Sequence, residues 1–132
     1  MGLVIDTNVF IEIEKGTKNI DFTSFEKYGD IYISAITVSE LLVGVYSANS
    51  KAREIKRRAF VEKILEKMAV LPFTAEVARI HAELSAKLTK SGKMVGAHDL
   101  IIAATALSLG HTVLTRDLKA FQRIPGLEVI SG

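Results

Sequence analysis

Short apolar runs alternate along the chain with longer stretches whose apolar residues recur at helical spacing. Leu3-Val4-Ile5 predicts a buried strand, followed by a short helix over residues 8–15. Ile31-Tyr32-Ile33-Ser34 predicts a second strand and residues 37–48 a helix. A longer helix is expected over residues 51–68, with Phe60, Val61, Ile64, Leu65 and Met68 on one face. Val70-Leu71-Pro72 is strand-like. Thr74 then caps a helix whose Val77, Ile80, Leu84 and Leu88 face inward and which stops at Gly92. Residues 98–109 predict another helix, stopped by Gly110. Thr112-Val113-Leu114 is a strand, a helical turn follows Asp117, and Leu127-Glu128-Val129-Ile130 is the last strand. No hairpin turn joins any two of these strands. The pattern therefore predicts a three-layer α/β/α sandwich with a mainly parallel sheet of about five strands.

Composition narrows the chemistry. The 132 residues suit one domain spanning 1–132, with 48% hydrophobic and 24% charged residues, too apolar for a disordered chain. Proline occurs only at Pro72 and Pro125, and no linker or repeat interrupts the alternation. The absence of cysteine excludes disulfide frameworks, zinc–thiolate sites, thiol nucleophiles and iron–sulfur ligation. The start Met1-Gly2-Leu3-Val4-Ile5-Asp6 has no basic lead and too short an apolar run for a signal peptide. Leu100 to Leu109 is far too short to span a bilayer, so a cytoplasmic protein without a membrane partner is expected.

Candidate chemistry lies at the strand-to-helix junctions, where open parallel sheets form their functional crevice. Asp6 follows the first strand, Glu40 sits near the start of the helix after the second, Asp99 opens the helix before the fourth, and Asp117 follows that strand. Each has a structural reading beside the functional one. Thr37-x-x-Glu40 fits a capping box, and Asp99 and Asp117 suit helix N-termini. Carboxylates converging on one crevice repel one another unless a cation neutralises them. Hard oxygen ligands without a Cys or His cluster select Mg²⁺, with Mn²⁺ as a substitute, over zinc. Phosphodiester hydrolysis by metal-activated water is the chemistry that follows.

Asp6-Thr7-Asn8, Ser39-Glu40-Leu41, Gly96-Ala97-His98-Asp99-Leu100-Ile101-Ile102-Ala103-Ala104 and Leu114-Thr115-Arg116-Asp117, in that order, resemble the PIN-domain nucleases. They are most similar to the VapC-type toxins of type II toxin–antitoxin systems. The resemblance covers almost the whole chain, and Phe121 with Pro125-Gly126-Leu127 fits its C-terminal end. It implies a PIN-like fold, a homodimer, Mg²⁺- or Mn²⁺-dependent endoribonuclease activity on RNA and inhibition by a cognate antitoxin protein. The acidic site it implies is Asp6, Glu40, Asp99 and Asp117, with Asp6 and Asp99 on the metal and Glu40 and Asp117 positioning or deprotonating water or completing a second metal site. Such hydrolysis leaves a 5′-phosphate and a 3′-hydroxyl. Thr7, Asn8 and Thr115 would support the site, the two threonines through hydroxyl hydrogen bonds or as simple caps. The chain departs from the family at Ala120, where many relatives have an acid, and Asp117 stands where some carry Asn.

The remaining candidates are polar or basic. Lys56, Lys63 and Lys67 line one edge of their helix, either as an RNA-tracking stripe or as a solvated flank. Arg116, beside Asp117, is expected to contact an RNA phosphate. His81 reads as packing, His98 as a surface residue about 100° from Asp99, and His111 as a turn residue. Leu41, Leu42, Val45 and Tyr46 exceed what one helix face needs, leaving some for a dimer or antitoxin surface or for the core. A receiver or an aspartate-nucleophile phosphatase is a poor rival, because Asn8 stands where the phosphatase needs a second Asp. A housekeeping RNA-processing PIN nuclease and a non-catalytic PIN-like binding module are the alternatives. The four acids argue against the module. The charge balance then changes meaning. Seventeen basic residues oppose 15 acids for a net +2, yet with the four acids set apart the remainder is 17 against 11. A basic surface would surround an acidic hole.

Overall fold

The computed structural model describes residues 2–16 and 22–132. Among them β1 (Gly2–Ile5), β2 (Asp30–Ser34), β3 (Ala69–Leu71), β4 (Thr112–Thr115) and β5 (Val129–Ser131) form one parallel sheet ordered β3-β2-β1-β4-β5. Helices α1 (Thr7–Glu14), α2 (Ala35–Tyr46), α3 (Lys51–Lys67), α4 (Ala75–Lys90), α5 (Ala97–Leu109) and α6 (Leu118–Gln122) cover its two faces. The expected α/β/α sandwich is the fold observed. No helix among the described residues is long and apolar enough to cross a membrane.

The central strands explain why apolar runs, rather than alternating patterns, marked the sheet. β1 and β4 are buried along their whole length. Side chains alternate across a strand, so Leu3, Ile5 and Leu114 enter one core with Val9, Phe10, Val45 and Val61. Val4 and Val113 enter the other with Leu84, Leu88, Ile102 and Phe121. Leu3, Val4, Ile5, Val113 and Leu114 are therefore apolar on both faces, with buried threonines only at the two ends of β4. Helix α5 carries fully buried Ala103, Ala104 and Ala106, small side chains that let it lie against both the sheet and its neighbours.

The predicted helix signals hold. The Thr74 hydroxyl accepts the Val77 N–H at 3.2 Å. Gly92 and Gly110 take positive φ of 69° and 68°, and the residues after them return N–H groups to Leu88 and Ala106, both at 2.9 Å.

Two local features differ from expectation. Helix α2 begins at Ala35 rather than Thr37, because Ser34, the last residue of β2, accepts the Thr37 N–H at 3.4 Å. The Thr37–Glu40 capping box is therefore not formed, and the Thr37 hydroxyl is free to face α1. A 3₁₀ helix over Phe22–Tyr28 was not read from the sequence. Its signal is present: Phe22, Phe25 and Tyr28 recur every third residue and lean on the core beneath α1.

Strand order decides where the site lies. From central β1 the chain runs outward to β2 and β3, then returns to β4 on the other side and continues to β5. The segments leaving β1 and β4 diverge between adjacent strands, and that divergence opens a crevice at their carboxyl ends.

Candidate active site

Asp6 is the first residue beyond β1 and only 3% exposed. It occupies the N-cap position of α1, yet its side chain makes no capping hydrogen bond, so the capping reading fails here. Its carboxylate instead accepts the Thr115 hydroxyl at 2.7 Å, across 109 residues of sequence. Burial pushes the carboxyl from 3.8 up to about 6; the Thr115 hydrogen bond opposes this, the Asp99 charge adds to it, the Thr7 backbone N–H opposes it, and the Glu40 charge adds again.

Asp99 lies in the first turn of α5, whose N-cap is Gly96. No hydrogen bond reaches its carboxylate among the described residues. A Cβ added at Gly96 would stand 3.4 Å from Asp99 Oδ2, so glycine keeps the backbone close to the acid. Burial raises the Asp99 pKa, the Glu40 and Asp117 charges raise it further, and the His98 charge lowers it. Helix-dipole attraction alone does not explain a half-buried carboxylate facing two others.

Glu40 is held by donors from two other helices. Thr7 Oγ1 stands 2.6 Å from Oε1, and His98 Nδ1 stands 3.1 Å from Oε2. Thr7 Oγ1 also lies 2.9 Å from Thr37 Oγ1. A carboxylate only accepts, so the Thr7 hydroxyl proton is directed at Glu40, the shorter of its two contacts. Asp117 combines its two readings: its carboxylate caps α6 through the Ala120 N–H at 3.4 Å while its charge acts on Asp99. Thr115 joins both acids, donating to Asp6 and accepting the Asp117 N–H at 2.9 Å. Asn8 accepts the Arg116 N–H at 3.3 Å, tying the turn after β4 to α1.

The basic candidates fall elsewhere. Arg116 does not present an open guanidinium: Nε donates to Glu12 at 2.8 Å and Nη1 donates to the Gly132 carbonyl. Arg116 thus forms an internal tie from the turn after β4 to α1 and to the residue following β5. Lys56 borders a depression of about 290 Å³ with Glu14, Arg57 and Phe60. Lys63 and Lys67 border another of about 210 Å³. Neither contains a site acid. A depression of about 160 Å³ that reaches Glu40 takes its cations from Lys15 and Arg57. His98, expected on the surface, is half-exposed and bonded to Glu40 across 58 residues. No local signal could reveal that contact.

Among the described residues no three acids or histidines close into a ready cage. Hard oxygen donors in an incomplete set suit Mg²⁺, which binds through one or two carboxylates and keeps its waters. Asp6 and Asp99, with raised pKa values and mutual repulsion, are the groups a cation would relieve.

An acidic crevice at the switch point of a parallel sheet, with this order of strands, defines a PIN-type α/β protein. A PIN domain family model matches residues 3–127, and the chain belongs to that family. Within it the chain falls in the VapC branch. It is 40% identical over 131 residues to Ribonuclease VapC1 of Rickettsia felis, covering 99% of this chain and 96% of that protein. It is 35% identical over 131 residues to Ribonuclease VapC of Rickettsia bellii, with the same coverage. A solved structure of VapBC2 from Rickettsia felis, bound to a DNA fragment from their promoter, matches with a TM-score of 0.89 and 25% identity. That match covers 100% of this chain and 99% of the other.

Proposed function

We propose that this chain is a metal-dependent endoribonuclease and the toxin of a VapBC-type toxin–antitoxin pair. The observation that carries the reading is the mutual approach of Asp6, Glu40, Asp99 and Asp117, with burial first and neighbouring carboxylates second raising Asp6 to about 6 and raising Asp99 as well. Such a cluster costs stability unless it binds cations. Relatives named ribonucleases and a solved VapBC assembly of the same fold support the substrate class and the partner.

Asp6 and Asp99 would hold Mg²⁺, with Mn²⁺ substituting. When bound, the ion supplies a more acidic water and neutralises charge on the scissile phosphate. Thr115 orients the Asp6 carboxylate through its 2.7 Å hydrogen bond and thereby favours the ionised form needed for binding. Glu40 orients the attacking water and accepts its proton, with Thr7 fixing the opposite edge of the carboxylate. Asp117 stands on the rim as a further acceptor. Water adds to phosphorus, the P–O3′ bond breaks with its electron pair on O3′, which takes a proton from solvent, and the products carry a 5′-phosphate and a 3′-hydroxyl.

A cognate antitoxin and a second copy of the chain are the proposed protein partners. Exposed Val43 and Tyr46 on α2 and Ile55 on α3 support an apolar docking face, while Leu41 and Val45 of the same surplus are core. The deciding experiment incubates cellular RNA with wild type and with Asp99→Asn, in Mg²⁺, in Mn²⁺ and in EDTA, and maps the new ends. Metal-dependent cleavage leaving 5′-phosphates, lost in the variant, is expected. Equal cleavage by the variant, or undiminished cleavage in EDTA, would overturn the proposal.

A further inference from the structure

We propose that His98 is a positioning residue for Glu40, fixing the carboxylate that handles the attacking water. The inference rests on the catalytic reading of Glu40 given above. Glutamate has three side-chain torsions, and a carboxylate held at one oxygen still swings about that contact. The Thr7 hydroxyl holds Oε1 alone. His98 Nδ1, 3.1 Å from Oε2, supplies the second point. Donors on α1 and α5 thus clamp an acid carried by α2, and with two anchors the carboxylate plane is set.

The clamp works against a real force. Glu40 and Asp99 carry like charge and each bears on the crevice. Repulsion acts on Glu40, whose longer side chain has more freedom to swing away than that of Asp99, half-buried at the start of its helix. His98 precedes Asp99 by one residue and projects about 100° around the helix from it. Consecutive residues of α5 therefore do opposite things to Glu40: Asp99 pushes it and His98 retains it. Only an Nδ1–H can serve, because a carboxylate cannot donate. The neutral ring must therefore be the Nδ1–H tautomer, the less common form of free neutral histidine, and the carboxylate selects it.

The contact is half-exposed, so its loss should slow the reaction rather than abolish it. His98→Ala is expected to lower kcat by about tenfold, a charge-assisted hydrogen bond discounted for solvent. KM should stay within about twofold, since Glu40 acts on water rather than on RNA binding. His98→Asn, whose amide N–H can stand where Nδ1–H stands, should recover most of the loss. His98→Phe, which keeps the ring's bulk without a donor, should not. In a Glu40→Ala background His98→Ala should add nothing. Nitrogen-15 spectra of the histidine rings of the full chain, at a pH where they are neutral, should show His98 as Nδ1–H in wild type and shifted toward Nε2–H in Glu40→Ala.

Wild-type kcat in His98→Ala would overturn the inference, as would additive losses in the double variant. So would a rise in KM at constant kcat, which would make His98 an RNA contact. An Nε2–H ring in wild type would remove the contact itself. Full cleavage by Glu40→Ala would instead overturn the role of Glu40, and the spectra distinguish that failure because they do not depend on turnover.

Discussion

The two ends of the sheet treat their ionisable groups in opposite ways. At the amino end His111 stacks on Tyr32 with ring centroids 4.9 Å apart, and Gly2 lies so close that a Cβ would meet both rings. Burial, then the charge of the N-terminus, lowers the His111 pKa from 6.5, so the ring packs as a neutral plate. Its buried Nδ1 has no partner among the described residues. At the carboxyl end Asp6 is more deeply enclosed, and there burial raises the pKa and neighbouring acids raise it further. One end lets its titratable group stay neutral at neutral pH. The other keeps carboxylates that ionise against burial and repulsion. Packing accounts for the first end, whereas the second holds charge that the proposed cation would relieve.

Asp6→Asn tests that contrast most severely. Cleavage should fall by about a hundredfold or more, because an amide neither ionises nor holds a divalent cation well. The same variant should make the metal-free protein more stable by about 3 kcal/mol at neutral to alkaline pH, the equivalent of raising 3.8 to about 6. The sign follows from linkage. With the folded pKa above the unfolded one, the Asp6 contribution is fully present below pH 3.8 and is lost as pH rises through about 6. Urea unfolding across that range should show the decline in wild type and a flatter profile in the variant. Added Mg²⁺ should raise the unfolding midpoint of wild type and do little for Asp6→Asn.

Smaller effects separate support from chemistry. Thr115→Val should cost about 2 kcal/mol, because it strips the donor from a buried carboxylate and the acceptor from the Asp117 N–H. Without that donor the Asp6 pKa rises further, so the acidic limb of the cleavage profile should move to higher pH. Arg116→Ala should cost about 1 kcal/mol through the lost Glu12 pair. The salt dependence of cleavage should not change, whereas a weaker dependence would restore Arg116 as a phosphate contact. His111→Phe should have the smallest effect, confined to acid. A lowered pKa gives stability that is present above 6.5 and lost as pH falls, and phenylalanine removes that loss while keeping the stack on Tyr32. If this variant instead flattens the profile as strongly as Asp6→Asn, the two ends do not differ in kind.

Which features were readable depended on the range over which each is encoded. Leu3-Val4-Ile5, the Thr74 cap and the stops at Gly92 and Gly110 are written within a few residues, and each was legible. Asp6, Glu40, Asp99 and Asp117 were legible as acids because each adjoins a strand end or opens a helix. The start of α2 was misread because Ser34 and Thr37, three residues apart, can each cap a helix, and only the end of β2 decides between them. The tie of Arg116 to Glu12 was not legible, because a guanidinium is long enough to turn back onto a residue 104 positions away.

By itself, then, the order of apolar runs, caps and acids determined an α/β sandwich with carboxylates at its strand ends, since those properties follow from local geometry and solvation. Tertiary structure alone decided who stands beside whom. Placing β4 against β1 joins Thr115 to Asp6, and bringing α5 beside α2 joins His98 to Glu40. Those contacts cross 109 and 58 residues of chain. No local preference can carry such a pairing, because it exists only once the sheet has chosen its order.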